Sequence, residues 1–293
     1  AELMLSGEGG EDWRYGFPHT ALHDGDEVSI GKLRLKALHT PGHTPEHLSF
    51  LLFDTASSQY PRMLFTGDFI FVGDVGRPDL LEAAAGMKGT REIGAKQMFE
   101  SLQAIREFPD YIEIWPGHGA GSACGKALGA VPSTTLGYER LSSWAFSLDR
   151  SDAFSAALLE GQPEPPRYFG KMKELNRNRP ESSVVVAPTP VGALAGEDAR
   201  SALNNRHGRG DARKMSAVPQ VIDTRPSSEF RIRHVAGTLN LPLEDDLTTW
   251  AGWLLDYDRP IAIIDTRERA ENVQTMLASI GLDRLIGFIA PDI

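Results

Sequence analysis

HTPGHTPEH, residues 39–47, carries three histidines four residues apart. That spacing suits one face of a helix, but Pro41 and Pro45 lack backbone donors and push Thr40 and Thr44 toward extended geometry. The segment is therefore a loop, and His39, His43 and His47 need not share a side. Upstream, EVSIGKLRLKAL (27–38) sets Leu33, Leu35 and Ala37 on one side, the period-two pattern of a half-buried strand. The histidine loop leaves that strand directly.

Working outward, HLSFLLFD (47–54) and RMLFTGD (62–68) are short apolar runs bounded by turn residues and read as buried strands, the second ending at Asp68. From Gly89 to Phe108 the apolar residues Ile93, Met98, Leu102 and Ile105 fall mainly at helical spacing. A strand, YIEIWPGHG (111–119), follows and leaves His118 just past its end. TTLGYERLSSWAFSL (134–148) and SDAFSAALLE (151–160) read as helices, the second with Ser151 as N-cap. GQPEPP (161–166) reads as an extended connector, and RYFGKMKELNRN resumes a helix.

His43, Asp68 and His118 thus share one placement: each lies in a loop just after an apolar strand, where side chains of neighbouring strands can converge at a sheet edge. Imidazole and carboxylate together suit Zn(II), Fe(II) or Mn(II). Gly42, Gly67, Gly117 and Gly119 flank the three residues and permit tight turns. His39 and His47 are assigned to supporting roles, and His19, His23, His207 and His234 to solvated or capped side chains. Cys124 reads as a small buried residue, without a base beside it in sequence.

Composition narrows the classes. The 293 residues are 41% hydrophobic and 24% charged, as in a folded protein with one large or two ordinary domains. Thirty basic and 40 acidic residues leave a formal charge of -10, which argues against nucleic acid and anionic lipid as partners. His207, Arg209, Arg213 and Lys214 form a mild basic group broken by glycines, read as linker. With Cys124 the one cysteine, an intrachain disulfide is impossible and a reducing, cytoplasmic setting is expected. No apolar run approaches the ~20 residues of a membrane span. Self-association into a homo-oligomer stays open.

After about Ala195 the texture becomes small, polar and glycine-containing, so domains are expected at 1–195 and 196–293. The second alternates strand-like QVIDT (220–224), TLNLPL, PIAIID (260–265) and LIGFIA with helix-like SSEFRIRH, DDLTTWAGWLLDY and RAENVQTMLASIG. Alternation of this kind predicts a small α/β domain on a parallel sheet.

TPGHT (40–44), FTGDFIFVGDVGRPDL (65–80) and WPGHGAGSACGKALG (115–129) together resemble the metallo-β-lactamase superfamily. More narrowly, they resemble the persulfide dioxygenases fused to rhodanese domains, a likeness that extends through PEPPRYFGKMKELN. The resemblance implies an α/β protein: a partial αββα sandwich followed by a smaller rhodanese-like domain. It also implies that His43 and Asp68 are metal ligands. His118 corresponds to the second metal position of dinuclear zinc relatives. Fe(II) is the implied metal, with Zn(II) as the alternative. The implied reaction is oxidation by O2, to sulfite, of glutathione persulfide or another low-molecular-weight persulfide. The alternatives are a zinc-dependent hydroxyacylglutathione hydrolase-like thioesterase and a non-catalytic sulfur-metabolism scaffold. Arg77, in GDVGRPDL, would hold an anionic substrate or brace the ligand loop.

Two departures accompany the likeness. The superfamily's H-x-H-x-D-H string, source of a further iron ligand, occurs nowhere in the 293 residues. The first domain is therefore expected to be N-terminally incomplete and its metal weakly held. VIDTRPSSEFRIRHVAGTLNLPL (221–243) resembles the opening of a rhodanese domain, with Asp223, Arg225, His234 and Gly237 in its pattern. The rhodanese cysteine position, however, is held by Asp265, and a carboxylate cannot accept sulfane sulfur. This implies a packing or interface role, or an anion site at Arg267 and Arg269 that transfers nothing.

Overall fold

The computed structural model describes residues 2–83, 86, 88–119, 128–162, 164–165, 168–177, 191–204, 218–244 and 246–291. The chain divides into two compact units, Ala1–Pro165 with Asn176–Arg179, and Pro166–Leu175 with Pro180–Ile293.

The first unit begins with a two-stranded parallel sheet, β1 (Met4–Ser6) and β2 (Thr20–Leu22). A six-stranded sheet follows in the order β3 (Glu27–Ile30), β4 (Leu33–His39), β5 (Leu48–Asp54), β6 (Met63–Gly67), β7 (Glu113–Pro116), β8 (Thr134–Thr135). Strand β5 is antiparallel to both β4 and β6, and β7 runs parallel to β6. It follows that β4, β6 and β7 all point the same way. Their C-terminal ends, and the loops that leave them, lie at one edge of the sheet.

One helix, α1 (Leu80–Ala83), precedes α2 (Thr90–Ile105). On α2 the buried residues Ala95, Met98, Leu102 and Ile105 recur at three- and four-residue spacing. They share a core with Leu51, Leu64, Ile112 and Ile114 of the sheet region and with Phe154 and Leu158 of α5 (Ser151–Leu159). Each such fully buried side chain contributes roughly 1.5–3 kcal/mol of transfer free energy. This core anchors the sheet whose edge carries the histidine loop.

Several expectations change. Residues 27–38 form a hairpin rather than one strand, because Gly31 takes a φ of 63° and turns the chain. Strand β7 is shorter than its apolar run. Residues 134–148 are not one helix: β8 leads into α3 (Leu136–Ser142), and an extended Ser143 separates it from α4 (Trp144–Ser147). Arg150, not Ser151, is the N-cap of α5 and its side chain makes no capping bond.

Helix α6 (Tyr168–Arg177), which lies in the second unit as far as Leu175, forms where a helix was expected. The polar stretch after Ala195 begins instead with a helix, α7 (Gly196–Asn204), because Ala199, Ala202 and Leu203 bury themselves against Val221, Ala262 and Ile264. The basic group from His207 to Lys214 lies outside the described residues, as does Cys124. Strands β9 (Gln220–Asp223), β10 (Leu239–Asn240), β11 (Ile261–Ile264) and β12 (Leu285–Ile289) form the expected parallel sheet in the order β10-β9-β11-β12. The connecting helices are α8 (Ser227–Ile232), α9 (Leu247–Leu254) and α10 (Arg267–Ser279). Among the described residues no helix is long and apolar enough to cross a membrane.

Candidate metal centre

The loops after β4, β6 and β7 bring His43, Asp68 and His118 together. His43 Nε2 lies 3.4 Å from Asp68 Oδ2, and His118 Nε2 lies 3.3 Å from Asp68 Oδ1. The carboxylate therefore has one imidazole at each oxygen. Close backbone approach makes this possible: a Cβ on Gly76 would lie 1.8 Å from the Asp68 carbonyl oxygen, and one on Gly117 3.0 Å from Oδ1. Gly67, at φ 50°, turns the chain out of β6 directly before the aspartate.

Proton placement tests whether these residues fit a cation. The Arg77 main-chain carbonyl accepts from His43 Nδ1 at 3.1 Å, so Nδ1 carries a proton and Nε2 is the nitrogen turned to Asp68. In the neutral form of the ring, Nε2 and Asp68 Oδ2 are two acceptors 3.4 Å apart, which need a positive species between them. That separation is the size reached when both lie about 2.1 Å from one divalent ion. A backbone carbonyl holding the other ring nitrogen is also how metal-binding imidazoles are commonly oriented. At His118 neither ring nitrogen has a hydrogen-bond partner among the described residues, although both are buried. The donors fit a metal at either carboxylate oxygen. Among the described residues, however, no three His, Cys, Asp or Glu side chains gather to hold one ion, so each oxygen supports only a pair.

His47 does not join them. Its Nε2 accepts the Asp68 backbone amide at 3.2 Å, which requires the proton on Nδ1, 2.9 Å from Thr40 Oγ1. The Thr40 hydroxyl in turn meets Ser49 Oγ at 2.8 Å, and both residues are buried. Burial, followed by the neighbouring His43, pushes the His47 pKa down to about 4, against the pull of Asp68. His47 is thus a neutral brace behind the aspartate. His39 is braced too, its Nε2 2.8 Å from the Pro45 carbonyl.

Arg77 is wholly buried, and its guanidinium makes a two-pronged contact with Asp79 at 3.1 and 2.7 Å. Its main chain steers His43 while its side chain is engaged in the interior. Residue types alone did not single out Thr40, Ser49 or Phe71, whose ring lies 4.5 Å from that of His118. No spacing rule connects them to the histidines.

In the second unit Asp265 directly follows β11 and is nearly inaccessible. Oδ2 accepts from Thr224 Oγ1 at 2.7 Å and Arg269 Nε at 2.9 Å, and Oδ1 from the Thr266 amide at 2.8 Å. Arg267 donates to the Val191 carbonyl. Asp223, fully buried, pairs with Arg225, whose pKa that contact raises. His234 Nδ1 lies 2.9 Å from the Phe230 carbonyl.

Comparison with known proteins agrees with this geometry. A family model described as the metallo-beta-lactamase superfamily matches residues 2–118. A crystal structure of a metallo-beta-lactamase from Staphylococcus aureus subsp. aureus COL is 39% identical, aligns over 100% of this chain and 78% of that one, and superposes with a TM-score of 0.82. The chain belongs to the metallo-beta-lactamase superfamily. Among curated relatives, a hydroxyacylglutathione hydrolase of Rhodopseudomonas palustris (strain ATCC BAA-98 / CGA009) is 31% identical over 53% of this chain and 50% of its own length. A protein of Bacillus velezensis named "Probable polyketide biosynthesis zinc-dependent hydrolase BaeB" is 28% identical over 41% of this chain and 45% of its own. The chain spans about half the length of these curated relatives.

Proposed function

We propose that this chain is of the persulfide dioxygenase type, with His43 and Asp68 as its metal ligands and a rhodanese-like second domain, residues 196–293, that cannot transfer sulfur. The observation that carries the reading is the 3.4 Å approach of His43 Nε2 to Asp68 Oδ2, with Nδ1 held by the Arg77 carbonyl. In the overall reaction a persulfide, O2 and water become the thiol and sulfite: the S–S bond breaks, the terminal sulfur is oxidised and O2 is reduced. Fe(II), when bound, supplies the redox chemistry and positions for sulfur and O2. The protein's part is orientation. Arg77 aims His43, His47 holds the Asp68 backbone, and the buried Phe71 excludes water from one side of His118. Among the described residues the donors come in pairs around one carboxylate, a set that holds a cation weakly.

Asp265 supports the inert reading of the second domain, since all its hydrogen bonds are internal and it is no nucleophile. A packing or interface role suits it.

A second reading, a Zn(II) thioesterase, is favoured by one observation: Asp68 faces an imidazole at each oxygen, as a carboxylate bridging two ions would. The names of the curated relatives point the same way. The two readings are separated by supplying Fe(II) or Zn(II) to the purified chain. Oxygen uptake is then recorded with glutathione persulfide, and thiol release with a glutathione thioester. Thioester hydrolysis without oxygen uptake would reject the dioxygenase reading, and neither activity with either metal would favour a scaffold.

A further inference from the structure

We infer that Glu139 is a positioning residue for His118: from α3 it fixes the turn that holds Phe71 against the imidazole. The starting point is a contrast between the site's histidines. His43 is oriented by the Arg77 carbonyl, and His47 by Thr40 and the Asp68 amide. His118 has no such bond at either ring nitrogen among the described residues. What meets its ring is Phe71, with centroids 4.5 Å apart and planes tilted by 33°. Among the described residues, packing on Phe71 and the 3.3 Å approach to Asp68 Oδ1 are what set the direction of Nε2.

Phe71 owes its place to a tight turn. The Phe71 amide donates to the Asp74 carbonyl at 2.9 Å, and Ile70 and Val75 pair across it. Glu139 is fully buried and accepts the Gly73 amide at 3.0 Å, at the apex of this turn. A second clamp comes from Trp144 Nε1, which donates to Asp74 Oδ1 at 3.1 Å. Burying a carboxyl opposes folding unless its contacts compensate; here Oε2 accepts the Gly73 amide while the buried Oε1 has no hydrogen-bond partner among the described residues. Burial also raises the Glu139 pKa, against the Gly73 amide and Thr134.

The inference rests on the second, Zn(II) reading only for its consequence, the aim of His118. Its test needs no metal. In the full chain, metal-free, the imidazole carbon–proton correlations are recorded by NMR and His118 is assigned from its loss in His118→Ala. The stacked Phe71 ring displaces the His118 signals upfield. Glu139→Gln keeps an acceptor for Gly73 and is expected to keep that displacement. Glu139→Leu fills the volume without an acceptor and is expected to lose it in a chain that is less stable but still unfolds cooperatively.

Retention of the wild-type His118 shift in Glu139→Leu overturns the inference, and so does its loss in Glu139→Gln. If Glu139→Leu does not fold, Trp144→Phe releases the same turn from its other side. It is expected to move the same signals in the same direction, and a folded Trp144→Phe with unmoved signals overturns the inference. Zinc titration of His118→Ala separates the two claims. Affinity equal to wild type removes His118 from the metal site, while the NMR result stands or falls alone.

Discussion

The backbone amide of Asp68 donates to Nε2 of His47 at 3.2 Å, so the residue that anchors the candidate metal centre is held by an imidazole that must stay neutral. Protonating Nε2 would break this bond and place a cation in a buried pocket.

Stability follows from that relationship. The His47 pKa lies near 4 in the fold, against about 6.5 when unfolded. Between those values the unfolded chain binds the extra proton, so the contribution is complete above about pH 6.5 and is lost as pH falls toward 4. A displacement of this size corresponds to roughly 3 kcal/mol at most. Urea midpoints measured from pH 7.5 to 4 should fall for the wild type. The slope should be shallower for His47→Gln, whose side chain can accept the same amide without titrating. Parallel slopes would show that His47 is not the titrating brace.

Glycine substitutions should separate close approach from conformational freedom. A Cβ at Gly76 would collide with the Asp68 carbonyl, whereas at Gly31 it meets nothing within 4 Å and only the φ of 63° is unfavourable. Gly76→Ala is expected to cost about 2 kcal/mol or more and to disturb the histidine signals. Gly31→Ala should cost about 1 kcal/mol and leave those signals in place. Thermal unfolding with histidine NMR checks both.

Strands β4 to β7 were legible in the sequence because buried strands announce themselves as apolar runs, and the prolines at 41 and 45 forbade a helix through the histidines, whereas β1, β2 and β8 carry no such run. The turn at Gly31 was hidden because the apolar alternation resumes directly after it. Helix α7 was hidden because its polar composition masks three small apolar residues that only the second sheet makes useful. At the site, the loops after apolar strands gave His43, Asp68 and His118 a shared placement, and their role as ligands came from the family resemblance. The division of labour between His43 and His47 depends on which nitrogen meets which carbonyl or amide, and no sequence pattern encodes that.

Asp265 offers a test in the second unit. Its three internal hydrogen bonds come from Thr224, Thr266 and Arg269. Asp265→Ala should destabilise by about 2–4 kcal/mol, because it leaves the hydroxyl and part of the guanidinium without an acceptor. Asp265→Cys should be destabilised too. As folded wild type, the chain should show no thiosulfate:cyanide sulfur transfer, and measurable transfer by the wild type would refute the inert reading.

Metal stoichiometry discriminates most sharply, because the three donors are arranged in pairs sharing one carboxylate. Each cation that binds has at most one imidazole and one carboxylate oxygen from this set, too few to enclose it, so dialysis should leave well under one equivalent of iron or zinc per chain. Under the dioxygenase reading the metal sits between His43 and Asp68. His43→Ala and Asp68→Asn should then each lower Fe(II) affinity by about tenfold or more, with His118→Ala close to wild type. Under the thioesterase reading both pairs hold Zn(II), so His118→Ala should weaken zinc binding as much as His43→Ala does. Elemental analysis after dialysis and titration calorimetry with each ion give the answer, and about one tightly retained iron per chain would contradict the weak-site prediction outright.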